Sequence, residues 1–204
     1  IEFVDIAGLV KGASKGEGLG NQFLSHIRAC DAILQVVRAF ESGDVIRSDS
    51  SRGPEHDIDV VATELVLADL QTIEKRLPRI QKEAKANPKL KPMLDYIETV
   101  HGILDSGKPL FSESGVMSHE LRGWLQKELQ LMTLKPILYL FNIDDDALSS
   151  NELKTKLRNI VTPAPALFVS AKLEDELRGL DDNDRAEMLA SYGASESGLN
   201  QVIH

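Results

Sequence analysis

The chain has 204 residues, 42% apolar and 27% charged, a balance that suits a packed core and excludes a disordered polymer. Its 23 lysines and arginines stand against 32 aspartates and glutamates, a formal charge of −9, which argues against a surface that grips nucleic acid all round but leaves room for a local basic patch. No run approaches about 18 apolar residues, so no transmembrane helix is expected, and a single cysteine, Cys30, with no zinc-type Cys/His spacing excludes an internal disulfide and fits a cytoplasmic protein.

In chain order, residues 1–5 read as a strand ending in Asp5. Gly8, Gly12, Gly16, Gly18 and Gly20 follow, a density that marks a loop. Residues 19–30 form an expected helix with Leu19, Phe23, Leu24 and Ile27 on one side. The run Ala32-Ile33-Leu34-Gln35-Val36-Val37 predicts a strand covered on both faces. Strand, helix, strand predicts a parallel βαβ unit. From Ile58 the period becomes three and four, through Ala62, Leu65, Leu70, Ile73, Leu77, Ile80 and Ala84: one long helix, with a kink expected at Pro78. Asn87-Pro88 breaks it. Leu90, Leu94, Ile97, His101 and Leu104 resume the period, which predicts an antiparallel helical hairpin with His101 in its packing. Ser118 suits the cap of a further helix, running to Met132, with Trp124 as its core anchor. The α/β pattern then returns: a strand at 136–141 closed by Asn142, a helix at 151–160, a strand at 166–169 and an acidic helix at 181–190. The expected fold is a three-layer α/β domain with a parallel sheet, its parts 1–57 and 133–204 separated by an inserted helical hairpin at 58–132.

Three polar clusters follow strands, at the sheet edge where open α/β folds bind ligands. In Asp5-Ile6-Ala7-Gly8 the acid can hold magnesium, directly or through water, and the glycine can offer its N–H to a terminal phosphate; a polar turn has the same composition. In Asn142-Ile143-Asp144-Asp145 the amide can pair with a purine edge and a carboxylate can accept from ring N–H groups; an Asx turn is the alternative. Ser170-Ala171-Lys172 can bring backbone amides toward a base. Strand with D-x-x-G, later strand with N-x-x-acid and third strand with S-A-K is the order of switch II, base-recognition and base-supporting elements in P-loop NTPases. The stretch Asp5-Ile6-Ala7-Gly8-Leu9-Val10-Lys11-Gly12-Ala13-Ser14-Lys15-Gly16-Glu17-Gly18-Leu19-Gly20-Asn21 closely resembles the Obg-like ATPases of the YchF subfamily. The resemblance continues through Leu134-Lys135-Pro136 to Gly198-Leu199-Asn200 and covers essentially the whole chain.

That resemblance implies a translation-related P-loop NTPase that binds and hydrolyses ATP with Mg2+. Asp5 would order the magnesium through water and Gly8 would sense the γ-phosphate. Leu9 stands where ordinary GTPases orient water with Gln, and Arg47 aligns with a histidine used by some members, so no catalytic residue is assigned. The family's base motif resembles N-x-x-E. Here Asn142 and Ile143 match it, whereas Asp145 is one methylene shorter. The absent lysine at position two argues against strict guanine recognition, while Asp145 and Ser170-Ala171-Lys172 keep GTP beside ATP. Lys75, Arg76, Arg79, Lys82, Lys85, Lys89 and Lys91, against Glu74 and Glu83, give the hairpin a local charge of +5. This arm can contact RNA phosphates, on the ribosome by family resemblance, or be a solvated helical face. The 204 residues contain no G-x-x-x-x-G-K-[ST]. The family carries that motif upstream and a TGS domain downstream, so the chain reads as an internal piece, monomeric, without a membrane partner, and inactive in hydrolysis by itself. Two alternatives stand: a non-catalytic RNA- or protein-interaction module, and an Obg-type GTPase.

Overall fold

The computed structural model describes residues 1–6, 19–40, 53–113 and 118–203. Its contacts divide the chain into two compact units, Ile1–Ile33 with Asp59–Pro136, and Leu34–Ile58 with Ile137–His204.

The first unit is helical. Helix α1 (Leu19–Ala29) is followed in this unit by α2 (Pro54–Ala86), α3 (Lys91–Asp105) and α4 (His119–Leu129). Helix α2 starts four residues before the apolar period does. Pro54 suits the first helical position, where its missing N–H costs nothing, and Glu55 and Asp57 suit the positive end of the dipole. Pro78 lies inside α2, and the helix continues through it as one element of 33 residues. Asn87 then accepts from Lys89 N at 3.2 Å and turns the chain into α3. Gln81 reaches Glu98 at 3.4 Å, and Glu74 faces His101 at 3.9 Å. Falling numbers on one helix meet rising numbers on the other, so the hairpin is antiparallel. His101, expected in the packing, is half-buried at the rim beside Glu74, because an imidazole keeps an acidic partner there more cheaply than in the core. Ser118 caps α4 by accepting from Leu121 N. The helix ends at Leu129, short of Met132, because Gln130 turns left-handed with φ 50°.

The hairpin closes on Val66 and Ile73 of α2, Tyr96, Ile97, Val100 and Leu104 of α3, and Leu125 of α4. A second cluster joins Leu24 and Ile27 of α1 to Leu65 and Ala68 of α2 and to Met132, with Trp124 packed on the first cluster. Burying each such leucine contributes about 2 kcal/mol. Lys135 is 6% exposed. It donates to the carbonyls of Arg28, at 3.0 Å, and Cys30, placing a cation at the negative end of α1. Cys30 itself is half-exposed.

The second unit holds a sheet of three strands among the described residues, in the order β1 (Ile33–Arg38), β2 (Ile137–Asn142), β3 (Ala166–Val169). Ile33 N donates to Pro136 O at 2.9 Å and Ala39 N to Asn142 O at 2.8 Å. Both partners advance by six residues, so β1 and β2 run parallel. Strands β2 and β3 are also parallel, with Asn142 opposite Val169. Helices α5 (Asn151–Val161), α6 (Ala171–Glu176), α7 (Asp182–Ser191) and α8 (Gly198–Ile203) complete the unit. Asp181 caps α7 by accepting from Asn183 N and Asp184 N.

Two strand expectations need correction. Residues 1–6 carry no strand, and Phe3 and Val4 are exposed. An extended segment becomes a strand only when a neighbour takes its N–H and C=O groups. Among the described residues the cover of strand β1 is uneven: Val37 is buried and Leu34 half-buried, while Val36 is 64% exposed. Among the described residues β1 is an edge strand, and an apolar run cannot report whether a second layer lies over it. No described helix is long and apolar enough to cross a membrane.

Candidate functional site

The ends of β2 and β3 build the site. Because Asn142 lies opposite Val169, the two loops that follow emerge at the same edge of the sheet. After Asn142 the chain enters the turn Asp145–Ser149, and after Val169 it enters α6 through Ser170. The Asn142 carboxamide oxygen accepts from Ala171 N at 3.0 Å. Ser170 Oγ accepts from Leu173 N at 3.2 Å, capping α6, and donates to Asp145 Oδ1. Lys172 Nζ donates to Asp145 Oδ2 at 2.6 Å, with Glu176 4.0 Å away. Asn142, Asp145, Ser170, Ala171 and Lys172 therefore form one hydrogen-bonded clamp.

Asp145 is 9% exposed and Ser170 3%. Burial pushes the Asp145 carboxyl up, but the Lys172 ammonium and the Ser170 hydroxyl outweigh it and hold the group below its ordinary value. The same contact raises Lys172. An ionised carboxylate has about four lone-pair sites, and Ser170, Lys172 and the Asp145 N–H engage up to three of them. The Asn142 amide also has two N–H donors. The set can thus offer donors and acceptors to a purine edge. Ile143 is placed differently from the other base-site candidates: its side chain is 2% exposed and its N–H donates to Val169 O at 2.8 Å. Its side chain is buried and offers almost no surface to a ligand.

Asp5 is an exposed acid in the first unit. Gly8, Leu9 and Arg47 lie outside the described residues. Among the described residues no three His, Cys, Asp or Glu side chains gather as a metal cage. A lone carboxylate is nonetheless a donor type that suits magnesium, which keeps most of its waters and takes further oxygens from phosphates. Asp5 is the residue that would hold it. All seven cations of the hairpin arm are exposed. Arg79 pairs with Glu83 at 2.8 Å and Lys91 with Asp95 at 3.0 Å. Lys75, Arg76, Lys82, Lys85 and Lys89 have no ion-pair partner among the described residues.

Gly102 and Gly107-Lys108 reproduce the glycine and lysine spacing of a phosphate loop, but Pro109 stands at the hydroxyl position. The segment leaves the C-terminus of α3, where the helix dipole repels anions. Its amides Ser106 N, Gly107 N and Lys108 N are bonded to Gly102 O, Leu104 O and Ile103 O. It is a helix end, not a phosphate cradle. The cavity of about 190 Å³ in the second unit lies between α5, β3 and α8, lined by Lys154, Arg158, Phe168 and Glu174. Asp145 and Lys172 are not part of its wall. Sequence reading missed the Asp145–Lys172 pair, whose members are 27 positions apart. The signal available was that both residues follow strands.

Residues 1–73 match the family described as 50S ribosome-binding GTPase. The chain is 42% identical to "Ribosome-binding ATPase YchF" of Haemophilus influenzae over 206 residues, covering 100% of this chain and 56% of that protein. It is 42% identical over 208 residues to the protein of the same name from Bacillus subtilis, covering 99% and 56%. Among solved structures, the YchF GTPase of Schizosaccharomyces pombe matches with a TM-score of 0.75 and 32% identity, over 97% of this chain and 55% of that one. The chain thus spans about half the length of the relatives it matches. With sequence identity near 40% along its whole length and the same α/β P-loop NTPase fold in a solved relative, the chain belongs to the YchF family.

Proposed function

We propose that the chain supplies the base-reading part of a ribosome-associated purine-nucleotide switch. In this reading the whole protein hydrolyses a nucleoside triphosphate with Mg2+ in the cytoplasm. The observation that carries the reading is the clamp in which Asn142 holds Ala171 while Asp145 holds Ser170 and Lys172. It sits at the carboxyl ends of adjacent parallel strands, where such sheets take their ligands. The bacterial relatives are named ribosome-binding ATPases, which puts ATP first. GTP stands beside it because Asp145, one methylene shorter than Glu, presents an ionised acceptor. Asp5 orders the magnesium, and Gly8 meets the terminal phosphate. The domain division follows the sequence: 1–57 and 133–204 carry nucleotide elements, and 58–132 is an inserted arm that meets ribosomal RNA.

The 204 residues hold no phosphate-loop motif, so the chain by itself turns over no ATP. The test is a titration of 15N-labelled chain with adenosine and guanosine, which need no phosphate cradle. Shifts centred on Ala171 and the Asn142 side chain support the reading, and their absence removes it. Measurable magnesium-dependent ATP turnover by the pure chain would falsify the inactivity claim. A second reading, a monomeric RNA-interaction module without nucleotide chemistry, is favoured by the five cations of the arm that have no ion-pair partner among the described residues. Nucleoside binding separates the two.

A further inference from the structure

We propose that the free edge of β3 is a docking site for an extended acidic peptide, which pairs with the strand and sets a carboxylate against Lys154 and Arg158. The groove meets the base site only at Ser170, and the proposal does not rest on that reading.

Among the described residues β3 pairs with β2 on one side and has no strand on the other. The Pro165 and Val169 carbonyls accept from Tyr139 N at 3.0 Å and Ile143 N at 2.8 Å. Backbone groups alternate in direction along a strand, so Ala166 and Phe168 turn their N–H and C=O groups away from β2. No bond to those groups from another element is seen among the described residues. Such an edge is a template for one more strand. The cavity of about 190 Å³ follows it. Successive side chains point to opposite faces: Phe168 lies under Arg158 of α5, and Val169 lies against Gly198 of α8. The cavity touches both helices, and residues 166–170 are all in its wall. It therefore passes round the free edge instead of lying under one face. Its volume is below that of a pocket for a compact drug-sized ligand, and its course suits an extended chain.

The charge of the wall selects the side chain. Lys154 and Arg158, one turn apart on α5, both stand over the Phe168 ring, Nζ at 6.0 Å and the guanidinium at 4.9 Å from its centre. The ring holds the two cations in place without neutralising either. Neither has an ion-pair partner among the described residues. Two acids share the wall. Glu174 accepts from Gly198 N, which ties it to α8, and Glu196 is exposed. Neither of them pairs with the two cations, so the acceptor that matches Lys154 and Arg158 is a carboxylate from outside. Because the strand beside it offers peptide donors and acceptors, that carboxylate belongs on a chain with peptide groups of its own.

The probe is acetyl-Val-Glu-Val-Glu-Val-amide, whose glutamates share one face when extended, titrated into the 15N-labelled chain. Shifts and slowed hydrogen exchange are expected at the Ala166 and Phe168 amides, as the added strand takes their bonds. The same peptide with glutamine in place of glutamate should bind about fivefold more weakly. In a chain carrying Lys154→Gln and Arg158→Gln the two peptides should bind alike. That ratio is taken within each chain, so a small loss of stability in the variant does not enter it. No perturbation by the glutamate peptide overturns the proposal, as does binding that leaves exchange at Ala166 and Phe168 unchanged. Equal binding of the two peptides to the parent chain also overturns it. Acetate at matched carboxylate concentration, giving the same shifts, would make this a plain anion site and overturn the strand pairing.

Discussion

Asp69 and Thr133, 64 positions apart, are joined twice through one carboxylate oxygen: Oδ2 accepts from Thr133 N at 2.7 Å and from Thr133 Oγ1 at 2.8 Å. The other oxygen accepts from Met132 N at 2.8 Å. Asp69 is fully buried on α2, so this helix holds the turn that leads toward β2. Asp69→Ala leaves two buried backbone N–H groups and a buried hydroxyl without their acceptor. The expected loss is about 3 kcal/mol in urea unfolding. A loss under about 0.5 kcal/mol would mean that water replaces the carboxylate at no cost.

The same residue sets a pH dependence. Burial raises the Asp69 carboxyl from 3.8 to about 6, against the lowering effect of the Thr133 and Met132 amides. Between those two values the native state binds a proton that the unfolded state has lost. The Asp69 contribution to stability is therefore greatest below about pH 4 and declines as the pH rises toward 6, by on the order of 3 kcal/mol. Asp69→Asn removes this titration. Unfolding free energies of the parent minus those of Asp69→Asn should fall between pH 4 and pH 7. A difference that is flat or rises over that interval refutes the assignment.

How much of this was legible in the sequence follows from what each feature depends on. The loops after β2 and β3 could be placed because parallel strands send their carboxyl ends to one edge; Asn142 ends the one strand, and Ser170 and Lys172 come within three residues of the end of the other. The helices could be placed by period, yet the start of α2 at Pro54 and the end of α4 at Gln130 depend on backbone geometry that apolar spacing does not encode. Residues 1–5 have the composition of a strand, but pairing is a property of the partner. Val36 and Val37 are the same residue type with opposite exposure, because burial is decided by what lies over each face. Asp69 sits on a helix rich in acids, and nothing local separates the buried one from the solvated ones.

Gly198 gives a test of packing in the second unit. Its N–H donates to Glu174 Oε1, and a Cβ added there would overlap the Val169 side chain. Val169 closes β3 and is only 9% exposed, so it has little room to retreat. Gly198→Ala is expected to cost about 2 kcal/mol in chemical denaturation. A neutral result would show that α8 moves off β3 freely.

The arm provides the test of the RNA reading. Lys82 and Lys85 lie on α2, both exposed and without an ion-pair partner among the described residues, whereas Arg79 is held by Glu83 at 2.8 Å. A cation already neutralised within its own helix gains less from a phosphate than a free one. Replacing Lys82 and Lys85 with Gln should therefore weaken binding to ribosomal RNA by about tenfold near 0.1 M salt. It should also lower the slope of log affinity against log salt by between about 1 and 2. Arg79→Gln should change both by less than either lysine replacement alone. Equal losses from all three positions would point to overall charge rather than a built contact surface. No change from the lysine pair would leave the arm as a solvated helical face.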